Sequence, residues 1–210
     1  MACLHLMRDE LDGAIYVDTG FSYPETRSMI NYAATLIPVH RLVVDRAAQH
    51  RAHGLPSDVV PVEWTTVGQA LTKPKPVLIQ SSFQCCYTNL AGAYYEEAKR
   101  LGATHTVFGQ RNDERGRATS KDGDVVNGLI RLHPIESWTR AQVLDYLASK
   151  MDIPSHYALT QTSLDCYDCT CFYEESKDRI AWMKDRYPDL YRIYAEKNNN
   201  VLSAIQEALG

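Results

Sequence analysis

Five of the six cysteines of this 210-residue chain lie in two clusters, and no other residues have more capacity for chemistry. Cys85 and Cys86 are adjacent, while Cys166 and Cys169 form a C-x-x-C pair that Cys171 follows closely. A C-x-x-C pair brings two thiolates within reach of one metal centre, and a distant second pair can complete a four-thiolate ligand set. The spacing therefore predicts a zinc or iron–sulfur site, with disulfide bonds as the less favoured alternative.

Two polar segments follow predicted strands and could bind a nucleotide or an anion. Asp18, Thr19 and Gly20 come directly after the first predicted strand, and Gly109 opens a polar run with three arginines after a later one. Ligands bind at the carboxyl ends of strands in open α/β sheets, and guanidinium groups bind oxyanions with paired hydrogen bonds. For Asp18-Thr19-Gly20, a turn without any ligand is the alternative.

The elements that must position these residues alternate between short strands and helices. We predict strands at residues 14–17, 41–45, 104–108 and 128–133, and helices at residues 1–11, 24–36, 90–101, 140–150, 174–187 and 190–209. Residues 46–75 contain three prolines and are predicted to be a loop-rich excursion with one short helix. This alternation favours an α/β fold, a parallel sheet flanked by helices with a helical C-terminal segment.

The composition is typical of a globular protein, with 45% hydrophobic and 23% charged residues. A net charge of −4 provides no general field for polyanions, so binding to nucleic acid would need a local patch. Charge appears at Arg8, before any apolar stretch long enough for a signal peptide. The longest uncharged run, residues 77–95, is too polar for a membrane span. We therefore predict a cytoplasmic protein with reduced thiols and no membrane partner.

Five stretches of the chain match, in order and spacing, the motifs of one known family. They are Val17-Asp18-Thr19-Gly20 with Pro24-Glu25-Thr26, then Gly109-x-Arg111 with Glu114 and Arg117, Leu132-x-Pro134-Ile135-x-x-Trp138-Thr139, Ile153-Pro154-x-His156, and Ser163-Leu164-x-Cys166-x-x-Cys169-Thr170. The chain thereby resembles the phosphoadenylyl-sulfate (PAPS) and adenylyl-sulfate (APS) reductases, which belong to the PP-loop adenine nucleotide α-hydrolase-like superfamily. The resemblance covers most of residues 1–171.

The resemblance implies a fold, a cofactor and a nucleotide site. It implies a Rossmann-like α/β domain over residues 1–173, with residues 174–210 as a helical extension of the same domain. APS reductases of this kind hold a [4Fe-4S] cluster on two cysteine pairs, which correspond here to Cys85, Cys86, Cys166 and Cys169. Four-cysteine zinc is the alternative. The residues implied to bind ATP, APS or PAPS, or its anionic groups, are Asp18, Thr19, Gly20, Gly109, Arg111, Arg117 and His156.

Two departures from the family pattern shape the functional expectation. The family's phosphate loop, S-G-G-x-D-S, would precede a helix like residues 1–11 and is not in this sequence. We expect Met1 to be an internal methionine of a longer product, and the alternative is a true start that leaves a weakened nucleotide site. The second departure concerns the family's C-terminal E-C-G cysteine, because no cysteine follows Cys171 in this sequence. Cys171 is therefore the candidate nucleophile or sulfur carrier, with a buried inert thiol as the alternative.

Three functions are compatible with this pattern. The first is an iron–sulfur enzyme of adenine-nucleotide-dependent sulfur transfer or nucleotide activation. The second is an APS or PAPS reductase that forms sulfite from a sulfonucleotide, and the third is a truncated, non-catalytic protein that binds a cluster or a partner. The expected partners are an adenine nucleotide, a thiol or electron donor such as thioredoxin, and a nucleic-acid substrate in the case of a sulfurtransferase. The sequence leaves open whether the chain forms a homodimer.

Overall fold

The structure, a computed structural model, describes residues 1–71, 78–114, 120–155, 157, 166–170 and 176–209. The chain forms two compact units. The first consists of Met1–Tyr16, Arg27–Leu42 and Tyr94–Pro154, and the second of Val17–Thr26, Val43–Ala93 and Ser155–Gly210. The structure is about half helical and contains small parallel sheets, so the predicted α/β class is confirmed.

The helices and strands alternate along most of the chain. In chain order they are α1 (Ala2–Leu6), β1 (Ala14–Asp18), α2 (Pro24–Ala34), β2 (Val39–Val43), α3 (Arg46–His53), β3 (Leu55–Ser57), a 3-10 turn (Val62–Trp64), α4 (Thr66–Leu71), β4 (Ile79–Ser81), α5 (Ser82–Cys86), a π-helical segment (Tyr87–Gly92), α6 (Ala93–Arg100), β5 (His105–Val107), β6 (Val125–Val126), β7 (Leu129–Leu132), α7 (Arg140–Ala148), α8 (Ser176–Arg186) and α9 (Pro188–Leu209). None of the helices in the described part of the chain is long and apolar enough to cross a membrane.

A three-stranded sheet with the order β5-β7-β6 organises the first unit. β5 lies parallel to β7, with Thr106 opposite Arg131, and β6 pairs antiparallel to β7. Asn127 and Gly128 connect β6 to β7 and have φ angles of 54° and 80°. Positive φ at both central residues defines the tight hairpin turn for which Asn-Gly is the strongest sequence signal. The prediction of a single strand at residues 128–133 missed this hairpin, although its signal was present.

The second unit is built around its last helix, α9. One buried cluster consists of Tyr23, Tyr167, Trp182, Met183 and Tyr194, and the other of Trp64, Ile79 and Val201. Because Tyr194 and Val201 both lie on α9, this helix contributes to both clusters. Tyr187 and Tyr191 pack against the first cluster, so these tyrosines have a packing role. β3 and β4 form a parallel pair in the same unit, with Leu55 opposite Ile79.

The structure corrects several predicted boundaries. The segment 46–75 is not mainly loop, because it contains α3, β3 and α4. Its missed start signal is Asp45, whose carboxylate accepts a hydrogen bond from Ala48 N (2.8 Å) and caps α3. The first helix ends at Leu6 rather than near residue 11, and residues 7–11 form a turn in which Leu11 N donates to Met7 O (3.1 Å). The last helix begins at Pro188, a residue that suits a first helical position.

Candidate thiol and nucleotide site

The adjacent cysteines lie on α5, which starts directly from the end of β4. Ser81 caps this helix, since its hydroxyl accepts a hydrogen bond from Gln84 N (3.3 Å). Cys85 is buried and Cys86 is exposed, as expected for neighbours that point about 100° apart on a helix. The helical region therefore starts earlier than the predicted residue 90, and both cysteines lie within it. The π-helical segment that follows is a rare conformation that is frequent at functional sites.

Two polar side chains surround the Cys85 thiol. His50 Nε2, on α3, lies 3.3 Å from Cys85 Sγ, and Asn89 Nδ2 lies 3.6 Å from it. Asn89 also donates to the Cys85 carbonyl oxygen (2.9 Å). Burial, with help from the nearby charges of Lys197 and Arg46, lowers the pKa of His50 to about 4, so its imidazole is neutral at pH 7. Sequence reasoning missed both His50 and Asn89, because neither belongs to a recognisable spacing.

The C-x-x-C segment lies against the chain that follows β1. Cys166 forms an antiparallel bridge with Ser22, and Tyr167 N donates to Phe21 O (2.9 Å). Thr19 Oγ1 consequently lies 3.4 Å from Cys166 Sγ. Burial raises the pKa of the Cys166 thiol to about 11. The structure thus brings one predicted nucleotide residue next to one predicted metal ligand.

The backbone of the C-x-x-C turn is held by an arginine on α8. Arg179 donates to the carbonyl oxygens of Cys166 (3.3 Å) and Cys169 (2.9 Å). The turn itself closes when Cys169 N donates to Cys166 O (3.1 Å). Because one guanidinium group fixes both cysteine backbones, the two thiols keep a defined separation.

A buried carboxylate between the two cysteines of the turn holds two cations. Asp168 Oδ2 contacts Arg46 Nη2 and lies 3.0 Å from Lys197 Nζ, and all three residues are at most 9% exposed. Burial alone would raise the pKa of Asp168, but the charges of Lys197 and Arg46 outweigh it and hold that pKa below its usual value. The Arg46 guanidinium also lies 3.8 Å from the centroid of the Phe21 ring. No motif in the sequence indicates that these charges lie near the thiols.

Three thiols share this electrostatic neighbourhood. Burial raises the pKa of Cys85, while the Arg46 and Lys197 charges oppose that increase and the Cys169 thiol adds to it. Cys166 is likewise influenced by Arg46 and Cys169. A cation close to several thiols favours their deprotonated form, which is the form that binds metals. Burial nevertheless outweighs these cations and keeps the pKa values of Cys85 and Cys166 raised, so binding of a metal by these thiols would release protons.

The predicted nucleotide residues of the second unit form a tight turn. Asp18 Oδ1 accepts a hydrogen bond from Gly20 N (2.8 Å), and Gly20 has a φ of 79°. This left-handed conformation requires glycine, although a Cβ at this position would meet no atom within 4 Å. Asp18 and Thr19 are buried, and Gly20 is exposed. This geometry is that of an ordinary turn, which was the alternative to a ligand site. Thr19, however, also contacts the Cys166 thiol.

The predicted anion residues of the first unit differ in their surroundings. Arg111 forms ion pairs with Asp113 (2.8 Å) and Glu114 (2.6 Å), so two carboxylates already neutralise its charge. Gly109 is exposed and lies near Cys3, because a Cβ built on it would be 3.6 Å from Cys3 Sγ. The predictions for Arg117, His156 and Cys171 fall outside the described residues.

The site offers thiols, the type of ligand that both iron–sulfur clusters and zinc use. Cys3, Cys85, Cys86, Cys166 and Cys169 are free thiols and not disulfides. Arg46 Nε and Asp168 Oδ1, beside the thiols, are buried and have no hydrogen-bond partner in the described part of the chain. In that same part, no three or more His, Cys, Asp or Glu side chains are placed to hold one metal ion. The four-cysteine ligand set therefore stays a prediction.

Fold and site together define a class: an α/β protein that carries a cysteine cluster beside a turn at the carboxyl end of a strand. The model of the phosphoadenosine phosphosulfate reductase domain matches residues 1–172, and the chain belongs to this family. The resemblance seen in the motifs is thereby confirmed, together with the adenine nucleotide α-hydrolase-like fold. The family supports sulfonucleotide-related chemistry. A comparison with curated proteins finds no match.

Proposed function

We propose that this chain is an iron–sulfur enzyme of adenine-nucleotide-dependent sulfur chemistry, acting in sulfur transfer or nucleotide activation. Membership of the family supports the nucleotide part of the proposal. The cysteine pairs support the cluster part, because soft thiolates are the ligands that iron–sulfur clusters need. The proposed ligands are Cys85, Cys86, Cys166 and Cys169, and zinc remains the alternative occupant.

The contact between Thr19 and Cys166 is the observation that carries this proposal most directly. Thr19 follows β1, at the strand edge where nucleotides bind in open α/β sheets. Cys166 belongs to the C-x-x-C pair, so a nucleotide at Asp18-Thr19-Gly20 would lie beside the thiols. In such an arrangement a sulfur atom of the substrate can approach the metal site while the adenine nucleotide is held by the turn.

The remaining residues have positioning and electrostatic roles in this proposal. Arg46 and Lys197 offset the negative charge of several thiolates that are held close together. Asn89 and the neutral His50 hydrogen bond to Cys85, and hydrogen bonds to ligand sulfurs tune a metal centre. A [4Fe-4S] cluster, when bound, would supply electrons or an electrostatic field for the conversion of a sulfur-containing group.

The test of the proposed reaction is ATP-dependent release of pyrophosphate by the protein purified without oxygen. We expect release that requires the protein, and we expect it to decrease strongly when Cys166→Ser removes one proposed ligand. Cys3→Ser is the matched control, because Cys3 lies in the other unit and outside both cysteine pairs. Absence of pyrophosphate release, with every candidate sulfur acceptor class supplied, would refute nucleotide activation.

The family match favours a second candidate function, an APS or PAPS reductase. In that case sulfite would form from one of these sulfonucleotides with thioredoxin or glutathione as the thiol donor. Cys171 is the proposed local nucleophile, since its thiolate could attack the sulfur atom and release the nucleotide. A Cys171→Ser protein that forms sulfite as fast as the wild type would remove this role from Cys171.

A further inference from the structure

One arginine of the first unit has no carboxylate partner in the part of the chain that the structure describes. Arg131, on β7, lies over two aromatic rings, with its guanidinium carbon 4.9 Å from the Phe108 centroid and 5.3 Å from the Tyr95 centroid. Its Nε is buried and has no hydrogen-bond partner within the described residues. Burial lowers the pKa of Arg131, and among the described residues no carboxylate pairs with its guanidinium to oppose this. A cation in such surroundings is suited to an anionic ligand.

Arg131 connects to a histidine through a serine. Arg131 Nη1 donates to Ser120 Oγ (2.6 Å), and Ser120 Oγ lies 3.4 Å from His133 Nε2. When the Ser120 hydroxyl donates to Nε2, the proton of a neutral His133 must be on Nδ1. His133 is 3% exposed, and its buried Nδ1 has no partner in the part of the chain that the structure describes.

The two unpartnered donors lie on the same side of one strand. Arg131 and His133 are two positions apart at the end of β7, so their side chains point to the same face. Both side chains contact the Ser120 hydroxyl, and both lie near the Phe108 ring, whose centroid is 6.0 Å from that of His133. An oxyanion at this position would accept hydrogen bonds from Arg131 Nε and His133 Nδ1 and would also compensate the arginine charge.

The arginine of the family motif contrasts with this arrangement. The Arg111 guanidinium is held by Asp113 and Glu114, so an anion would have to compete with two carboxylates for it. Residues 115–119, which are outside the described part, include two further arginines and no acidic residue. Of these two described arginines, Arg131 is therefore the one whose charge no carboxylate pairs with.

We propose that Arg131 and His133, positioned by the Ser120 hydroxyl between them, bind a tetrahedral oxyanion, a sulfate or phosphate group. The assignment of this group to the nucleotide substrate rests on the proposed function, whereas oxyanion binding itself does not. The two failures are therefore distinguishable. A protein that does not bind free oxyanions refutes the anion site, whereas a protein that does not release pyrophosphate refutes the proposed nucleotide activation.

The test is titration calorimetry of the full chain with sodium sulfate and, separately, with sodium phosphate, at an ionic strength kept constant with chloride. We expect saturable binding of at least one of the two anions. Arg131→Met should weaken it by about tenfold or more, because a charge-assisted hydrogen bond and a full charge are lost. Arg131→Lys keeps the charge without the planar fork and should give an intermediate loss. The comparison of the two anions shows which group the site prefers.

Two control variants complete the design. Arg100→Met removes the same charge from an exposed ion pair in the same unit and should bind as the wild type does. Arg111→Met should change the affinity less than twofold, since this guanidinium is already neutralised. The proposal is overturned when the wild type binds neither anion, when Arg131→Met binds as well as the wild type, or when Arg111→Met alone abolishes binding. Should Arg131→Met fail to fold, full binding by the folded Arg131→Lys and Ser120→Ala proteins would equally overturn it.

Discussion

Two arginines of this protein, one in each unit, have similar aromatic surroundings and opposite electrostatic ones. Arg46 lies over the Phe21 ring and contacts the carboxylate of Asp168, whereas Arg131 lies over the Phe108 ring without any carboxylate among the described residues. Burial opposes both charges, but Asp168 outweighs it and raises the pKa of Arg46, while the pKa of Arg131 is lowered. Arg46 is thus part of a permanent charge network, and Arg131 is available to an exchangeable anion.

The largest loss of stability should follow from removal of the Asp168 carboxylate, which pairs with Arg46. Asp168→Asn leaves Arg46 and Lys197 as buried cations without a negative partner, and we expect a loss of about 3–5 kcal/mol in unfolding free energy. Urea denaturation of the metal-free protein measures it. Asp189→Asn is the control, because its exposed ion pair with Arg192 should contribute less than about 1 kcal/mol. An Asp168→Asn protein as stable as the control would contradict the structural role assigned to the Arg46–Asp168 pair.

The second prediction compares the two arginines directly. Arg46→Met should cost about 3 kcal/mol, because Asp168 then keeps only Lys197 in a buried site. Arg131→Met should change the stability by less than about 1 kcal/mol in chloride buffer, since it replaces an unpaired, partly buried cation with an apolar side chain. Denaturation of both variants in the same buffer is the measurement. Equal losses would show that the two guanidinium groups have the same structural role.

The third prediction concerns the helix that lies beyond the family match. Lys197→Met leaves the Arg46–Asp168 pair in place and removes one hydrogen bond to a charged group, so we expect a loss of about 1–3 kcal/mol. Lys99→Met is the control, since its ion pair with Glu96 is exposed. Urea midpoints that are unchanged in both variants would mean that α9 holds the thiol site only through its apolar contacts.

The smallest effect concerns the phenol near the second arginine. Burial raises the pKa of Tyr94, and the Arg131 charge opposes this increase. A raised pKa stabilises the fold below the unfolded pKa of about 10, and this contribution is lost as the pH rises through the folded pKa. Arg131→Met should therefore delay the ionisation of Tyr94. Ultraviolet titration of tyrosine, with Tyr94→Phe to identify the signal, measures the shift, and earlier ionisation would contradict the account.

Much of the fold could be predicted because local signals agree with the tertiary structure. Thr139 illustrates this, since its capping box with Gln142 starts α7 at the predicted residue. The sequence predicts one short helix within residues 46–75 but does not place it at α3. The prolines of this segment favour loops, and the Asp45 cap is a single local signal. The strand β3 in this segment depends on tertiary structure, because it pairs with β4, which is distant along the chain.

The site could be predicted in its ligand types and not in its charges. The cysteine spacing predicted a thiol site, and the D-T-G motif predicted a nucleotide contact for Thr19, which the structure places 3.4 Å from Cys166 Sγ. Arg46 and Lys197 were beyond sequence reasoning, because their partner Asp168 is distant in the chain and single cations carry no pattern. Arg111 was predicted to bind an anion on the basis of its motif alone. The motif does not show that two carboxylates, those of Asp113 and Glu114, neutralise its charge.

Iron and acid-labile sulfide per chain, measured in protein purified without oxygen, test the central claim most directly. The account predicts about four irons and about four sulfides per chain with broad visible absorption near ~400 nm, all of which are lost in Cys166→Ser. Cys3→Ser should keep both values. A colourless wild-type protein with one zinc per chain and no sulfide would contradict the iron–sulfur assignment.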